Sequence, residues 1–120
     1  QLPPFNVEIK LDSNFISKFI KAKGALQDEN NFTFICKDKK GSIVLGYSNI
    51  NTNRINIDVD CTCEGDVKPI SFSATYLKEI LVANKEATDA TLQISSQGLA
   101  HISFSIDNYE SNYYLVEIQS

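Results

Sequence analysis

The chain has no methionine, one histidine, one arginine, three prolines and three cysteines in 120 residues. With His101 as the only imidazole, in a strand-like stretch beside Ile102, a general base or a histidine-built metal centre is not expected. Cys61 and Cys63 lie two apart and would point the same way on a strand, but a zinc site would need further ligands. There is no Gly-rich phosphate loop, nucleophile elbow or metal-spaced carboxylate set, and Asp58 and Asp60 on one side of a strand read as solubilising. These absences point away from an enzyme and call for no cofactor. Arg54 is the only arginine and falls in a strand, so bidentate reading of base edges is not expected. No apolar run approaches the roughly 18 residues of a membrane span, and no signal peptide is visible. An odd cysteine count without a regular framework reads as reduced thiols in an intracellular setting. The opening Gln1-Leu2-Pro3-Pro4, with no methionine anywhere, reads as a fragment of a longer protein.

What is present suits one globular domain. Apolar residues make up 42% and charged residues 22%. A chain of this size buries roughly 65% of its unfolded surface and needs no metal or disulfide to hold it. The net charge is −4, which by itself argues against a simple nucleic-acid binder, so the location of the basic residues matters more than their sum.

Hydrophobic periodicity divides the chain into two similar halves. Phe5 to Leu11 alternates through Phe5, Val7, Ile9 and Leu11, a half-buried strand. Asp12 or Ser13 offers an N-cap, Phe15, Ile16, Phe19 and Ile20 follow at helical spacing, and Gly24 marks a stop. Strands are expected at Asn31–Lys37, Ser42–Ser48 and Arg54–Asp60, with a turn at Asp38–Gly41 and a loop at Asn49–Asn53. After Glu64-Gly65-Asp66 the order repeats. A strand at Lys68–Ser73 leads into a helix at Thr75–Glu86 carrying Tyr76, Leu77, Ile80 and Leu81 on its apolar face. Strands follow at Ala90–Ser95, Leu99–Ile106 and Asn112–Ile118, with Asp107–Ser111 as a loop. Phe15–Ile20 matches Tyr76–Leu81 at an offset of 61, and Phe32 and Phe34 match Leu92 and Ile94 at an offset of 60. The expected class is α+β: a duplicated βαβββ unit, with repeats at 5–63 and 64–120 and two helices packed on antiparallel sheets.

The positive charge is not spread evenly. On the first helix Asn14, Ser17, Lys18 and Lys21 cluster opposite the apolar face. Residues 12–23 carry a net +2 and residues 75–86 a net of zero, which leaves −6 for the rest of the chain. Lysines on a helix surface are a solvated face or a diffuse phosphate-facing one; flexible ammonium groups can follow a duplex without reading its sequence.

The βαβββ-βαβββ order resembles the DNA sliding clamp family, which includes proliferating cell nuclear antigen and the clamps of T-even-type phages. The resemblance runs from Val7 to Gln119. It is strongest at Val7-Glu8-Ile9-Lys10 leading into Phe15–Leu26, and at Asn112-Tyr113-Tyr114-Leu115-Val116-Glu117. Both stretches look like the carboxy-terminal domain of a phage clamp. The resemblance implies a non-enzymatic processivity factor: a six-domain ring around duplex DNA, lined by helices, that tethers the replicative polymerase. It implies that residues 1–4 are a connector remnant and 5–120 a single clamp domain. Lys18, Lys21, Lys78, Lys85 and Asn14 would face the duplex, with Glu79 a departure from a fully basic lining. The strand at Arg54–Asp60, with Arg54, Asn56 and Asp58, would join the next subunit. The strand holding Asn112 and Tyr114 would join the same subunit's other domain. Leu45, Tyr47 and Val116 are the candidate pocket for short peptides of the polymerase and the clamp loader. The setting would be intracellular, the host cytoplasm for a phage protein. The reading from another class is a small α+β protein-interaction module with no DNA role, which would show an apolar patch or cleft instead.

Overall fold

In the first helix, α1 (Ser13–Ala25), the Asp12 carboxylate accepts the Phe15 N–H at 2.7 Å and satisfies one of the helix's orphan donors. Phe15, Phe19 and Ala22 face inward at the spacing the sequence shows. The expected stop at Gly24 is overrun by one residue; the helix closes where the Leu26 N–H donates to the Ala22 carbonyl at 3.0 Å. The computed structural model describes residues 4–37, 40–46, 54–59, 61–63, 67–84, 86–87 and 89–118. The turn residues Asp38 and Lys39, the loop Asn49–Asn53 and the Glu64–Asp66 break lie outside them.

Nine strands and a second helix complete the described fold. Before α1 comes β1 (Val7–Lys10); after it come β2 (Asn31–Lys37), β3 (Lys40–Leu45), β4 (Ile55–Val59) and β5 (Cys61–Cys63). The second half holds β6 (Val67–Ser73), α2 (Ala74–Ala83), β7 (Asp89–Ser95), β8 (Leu99–Ile106) and β9 (Tyr109–Val116). Ser73 caps α2 by accepting the Tyr76 N–H at 3.1 Å. The helix ends at Asn84 rather than Glu86, because the Asn84 side chain turns back and donates to the Ile80 carbonyl at 2.9 Å.

The strands form two antiparallel sheets, ordered β5-β1-β7-β8-β9 and β4-β3-β2-β6. The repeats exchange their first strands. β1 of the first half pairs with β7, and β6 of the second half pairs with β2. The four-stranded sheet therefore holds β2, β3 and β4 of the first repeat with the leading strand β6 of the second, and the five-stranded sheet holds β7, β8 and β9 of the second repeat with β1 and β5 of the first, so neither half completes its sheet alone. Phe72 sits opposite Phe32, and Leu11, the equivalent residue before α1, donates its N–H to Ala90. The structural counterpart of Phe32 is thus Ala90, one pleat short of Leu92, a slip that leaves every side chain on its expected face.

Strand boundaries depart from the sequence reading as well. The expected loop Asp107–Ser111 is a two-residue hairpin turn in which Asp107 takes φ 52°, and Tyr109 pairs directly with Ile106. The stretch after Val59 contains a separate short strand, β5, that lies in the other sheet beside β1.

A file of aromatic rings joins α1 to the four-stranded sheet. Phe15 stacks on Phe19 at 6.0 Å, Phe19 meets Phe32 edge-on at 5.8 Å, and Phe32 reaches Phe72 at 5.8 Å. Phe19, Phe32 and Phe72 are wholly buried, each contributing on the order of 1.5–3 kcal/mol. Cys36 corrects the expectation of reduced thiols: it is buried and disulfide-bonded.

Candidate nucleic-acid interface and open sheet edges

α1 and α2 pack against each other, so their outer faces adjoin. On α1, Asn14, Ser17, Lys18 and Lys21 are all exposed, as the helical spacing requires. Lys23 belongs to a different environment. It is 8% exposed, and its ammonium donates to the Gln27 carbonyl at 3.1 Å, beyond the helix C-terminus, where the macrodipole favours a cation. Two of the three α1 lysines therefore face outward.

α2 differs from α1. Lys78 is half-buried at the margin of the apolar face, Glu79 is exposed, and Lys85 lies outside the described residues. Tyr76, expected in the core, is 61% exposed, and Val82 is 45% exposed. The cause lies in the strands. β4 packs along α1, and Phe15 shares a cleft wall with Ile57 and Val59. The equivalent strand β9 is tied to the far end of α2, where the buried Asn84 amide donates to the Tyr113 hydroxyl at 3.1 Å. The outer face of α1 is thus basic and polar, whereas that of α2 mixes Tyr76, Glu79 and Val82.

The strands β4 and β9 each end a sheet. On β4, Asn56 and Asp58 are exposed, with Arg54 just before it; the Arg54 Nε donates to Asn56 Oδ1 at 3.3 Å and the Ser42 hydroxyl to Asp58 Oδ1 at 3.1 Å. Between β4 and α1 lies an open cleft of about 500 Å³ with Lys18, Lys21 and Asp58 on its rim and Ile57 and Ala22 in its lining. On β9, Asn112 and Tyr114 are exposed and organised by His101. The imidazole stacks on Tyr114 at 4.8 Å, its Nε2 is 2.8 Å from Asn112 Oδ1, and its Nδ1 is 2.9 Å from Gln93 Oε1. Which ring nitrogen donates to which amide follows the tautomer and the orientation of the two amides. The sequence contains no signal for this network, because it is assembled across three strands.

The three pocket candidates differ in what the structure describes of them. Leu45 is wholly buried and serves the core, Val116 is 74% exposed at the end of β9, and Tyr47 lies outside the described residues.

Comparison with solved structures finds the crystal structure of proliferating cellular nuclear antigen from Entamoeba histolytica, with a TM-score of 0.74 over 99% of this chain. The fold is a sliding-clamp fold. The two chains are 16% identical, and this chain spans about half of that clamp, 49% of its length. No protein-family model and no curated protein matches the sequence. The clamp fold accounts for the doubled βαβββ order, the exchange of first strands and the two adjoining helices as parts of one architecture.

Proposed function

We propose that the chain is one domain of a DNA sliding clamp, a non-enzymatic ring that encircles duplex DNA and tethers a polymerase. The observation that carries the proposal is the pairing of a clamp fold with two equivalent strands, β4 and β9, that each leave a sheet edge open. Exposed edges are otherwise a liability, and domains joined edge to edge remove it. The half-length match supports a subunit of two such domains, in the manner of a trimeric phage-type clamp working inside the host cell. In that ring β4, with Arg54, Asn56 and Asp58, joins the next subunit, and β9, with Asn112 and Tyr114, joins the companion domain.

Lys18, Lys21 and Asn14 form the duplex-facing surface, with Lys78 and Lys85 as lesser contributors beside Glu79. Contact is with phosphates, weak and salt-sensitive, and persistence comes from threading. Polymerase and loader peptides bind near Val116 on the outer wall. The test is the double change Lys18→Glu, Lys21→Glu in the full-length subunit. Each lost phosphate contact lowers the slope of log K against log salt by about 0.9, so the two together lower it by about 1.8 per domain. Unchanged salt dependence and unchanged processive synthesis would remove α1 from the DNA face.

A second reading is favoured by one feature, the exposed Tyr76 and Val82 on α2. An interaction module would use that face, and Tyr76→Ala would then abolish partner binding while the lysine changes left it intact.

A further inference from the structure

Cys36 lies on β2, is 2% exposed and is disulfide-bonded. The chain's other cysteines, Cys61 and Cys63, both belong to β5. Whichever of them supplies the second sulfur, the bond ties β2 of the four-stranded sheet to β5 of the five-stranded sheet. An independent close approach brings β5 against β3, the neighbour of β2 in the same sheet. Gly41 stands opposite Cys36 in the β2–β3 ladder, and a Cβ there would collide with Cys61 Sγ. Gly41 in turn pairs with Val59 of the edge strand β4. Because β4 and β5 are successive elements in different sheets, the bond secures the corner where the chain crosses from one sheet to the other.

We infer that Cys36 and the Cys61-Thr62-Cys63 segment form a redox-operated clasp that sets how firmly the β4 edge is held. Closing it takes two protons and two electrons from two thiols and forms one S–S bond. Oxidised glutathione accepts them and leaves as two molecules of the reduced thiol. With the clasp shut, β4 is anchored through β5 as well as through β3 and α1. With it open, the ladder to β3 and the packing on α1 hold it alone. The clasp stands on the cysteine geometry. Its consequence, that thiol redox state controls a joining edge, rests on the clamp reading above.

The test uses the chain itself without DNA, equilibrated with oxidised glutathione or with a phosphine reductant, then denatured, alkylated and analysed by mass spectrometry. One alkylatable thiol is expected after oxidation and three after reduction, with Cys36 in the cross-linked peptide. The closed loop is about 27 residues, so the unfolding constant of the oxidised form should be smaller by roughly a few hundredfold. Amides of Ile55–Val59 should exchange at least tenfold more slowly when oxidised, and Cys36→Ser should erase the difference. Three thiols after oxidation, a cross-link that omits Cys36, or identical β4 exchange in the two states would overturn the clasp. If Cys36→Ser does not fold, the oxidised and reduced forms of the unaltered chain still decide the matter. Because DNA enters none of these readouts, failure of the clasp and failure of the clamp reading are separable.

Discussion

Phe15 and Tyr76 occupy equivalent positions in the two repeats, yet truncating each to alanine should have different effects. Phe15 is 6% exposed, stacks on Phe19 and borders a cleft with Ile57 and Val59. Removing a buried phenylalanine costs the transfer free energy of the ring plus a cavity term, about 3–5 kcal/mol; the cleft beside it allows partial relaxation, which favours about 3 kcal/mol. Tyr76 is 61% exposed, so truncation returns only about 80 Å² of side chain to water, an upper limit of about 2 kcal/mol. Part of that area is already buried in the unfolded chain, which lowers the figure to about 1.5 kcal/mol, and alanine's better helix propensity recovers about 0.5 kcal/mol, leaving a cost of about 1 kcal/mol. The assay is urea unfolding followed by far-ultraviolet circular dichroism. With a slope of about 2 kcal/mol/M, Phe15→Ala should lower the midpoint by about 1.5 M and Tyr76→Ala by about 0.5 M. Midpoint shifts equal to within about 0.25 M would refute the reasoning, because they would mean that β4 does not cover α1 in a way that β9 fails to cover α2.

The remaining predictions concern local features. Asp12→Ala removes the cap on Phe15 N–H and should cost about 1 kcal/mol, or roughly 4 °C in the calorimetric Tm; no change would deny the cap a role. Gly98 sits at φ +94° with Glu117 against the space a Cβ would fill, so Gly98→Ala should destabilise by about 1–2 kcal/mol in the same urea assay. Lys18→Glu with Lys21→Glu changes only exposed positions and should leave stability within about 0.5 kcal/mol. A larger loss would mean that these side chains support the fold, and the DNA test would then need milder substitutions.

Much of the architecture was legible because periodicity is local. Asn31–Lys37 and Leu99–Ile106 fall where alternation places them, and Asp12, one of the two N-caps the sequence offers, caps α1. The exchange of β1 and β6 was not legible, since a strand's apolar face records that it is buried but not which sheet buries it. Tyr109 and Glu110 look like loop in the sequence because an open edge strand has no need of apolar residues on both sides. The spacing of Tyr76 is that of Phe15 and predicts a core residue, while its exposure depends on where β9 lies. Lys23 illustrates the converse: its charge was visible in the sequence, but its inward turn toward Gln27 is set by the helix end. At the candidate site, the outward set Asn14, Lys18 and Lys21 followed from helix geometry, whereas the link from His101 to Asn112 and Tyr114 required the tertiary register.

In the proposed clamp role, a ring of full-length subunits stays on DNA because it surrounds it. The direct measurement is retention of the loaded, labelled protein on a circular plasmid during gel filtration, before and after a single restriction cut. Co-elution with the intact circle and loss within minutes of linearisation, independent of plasmid sequence, is the predicted result. Equal retention on circular and linear DNA, or none on either with the loader present, would contradict it.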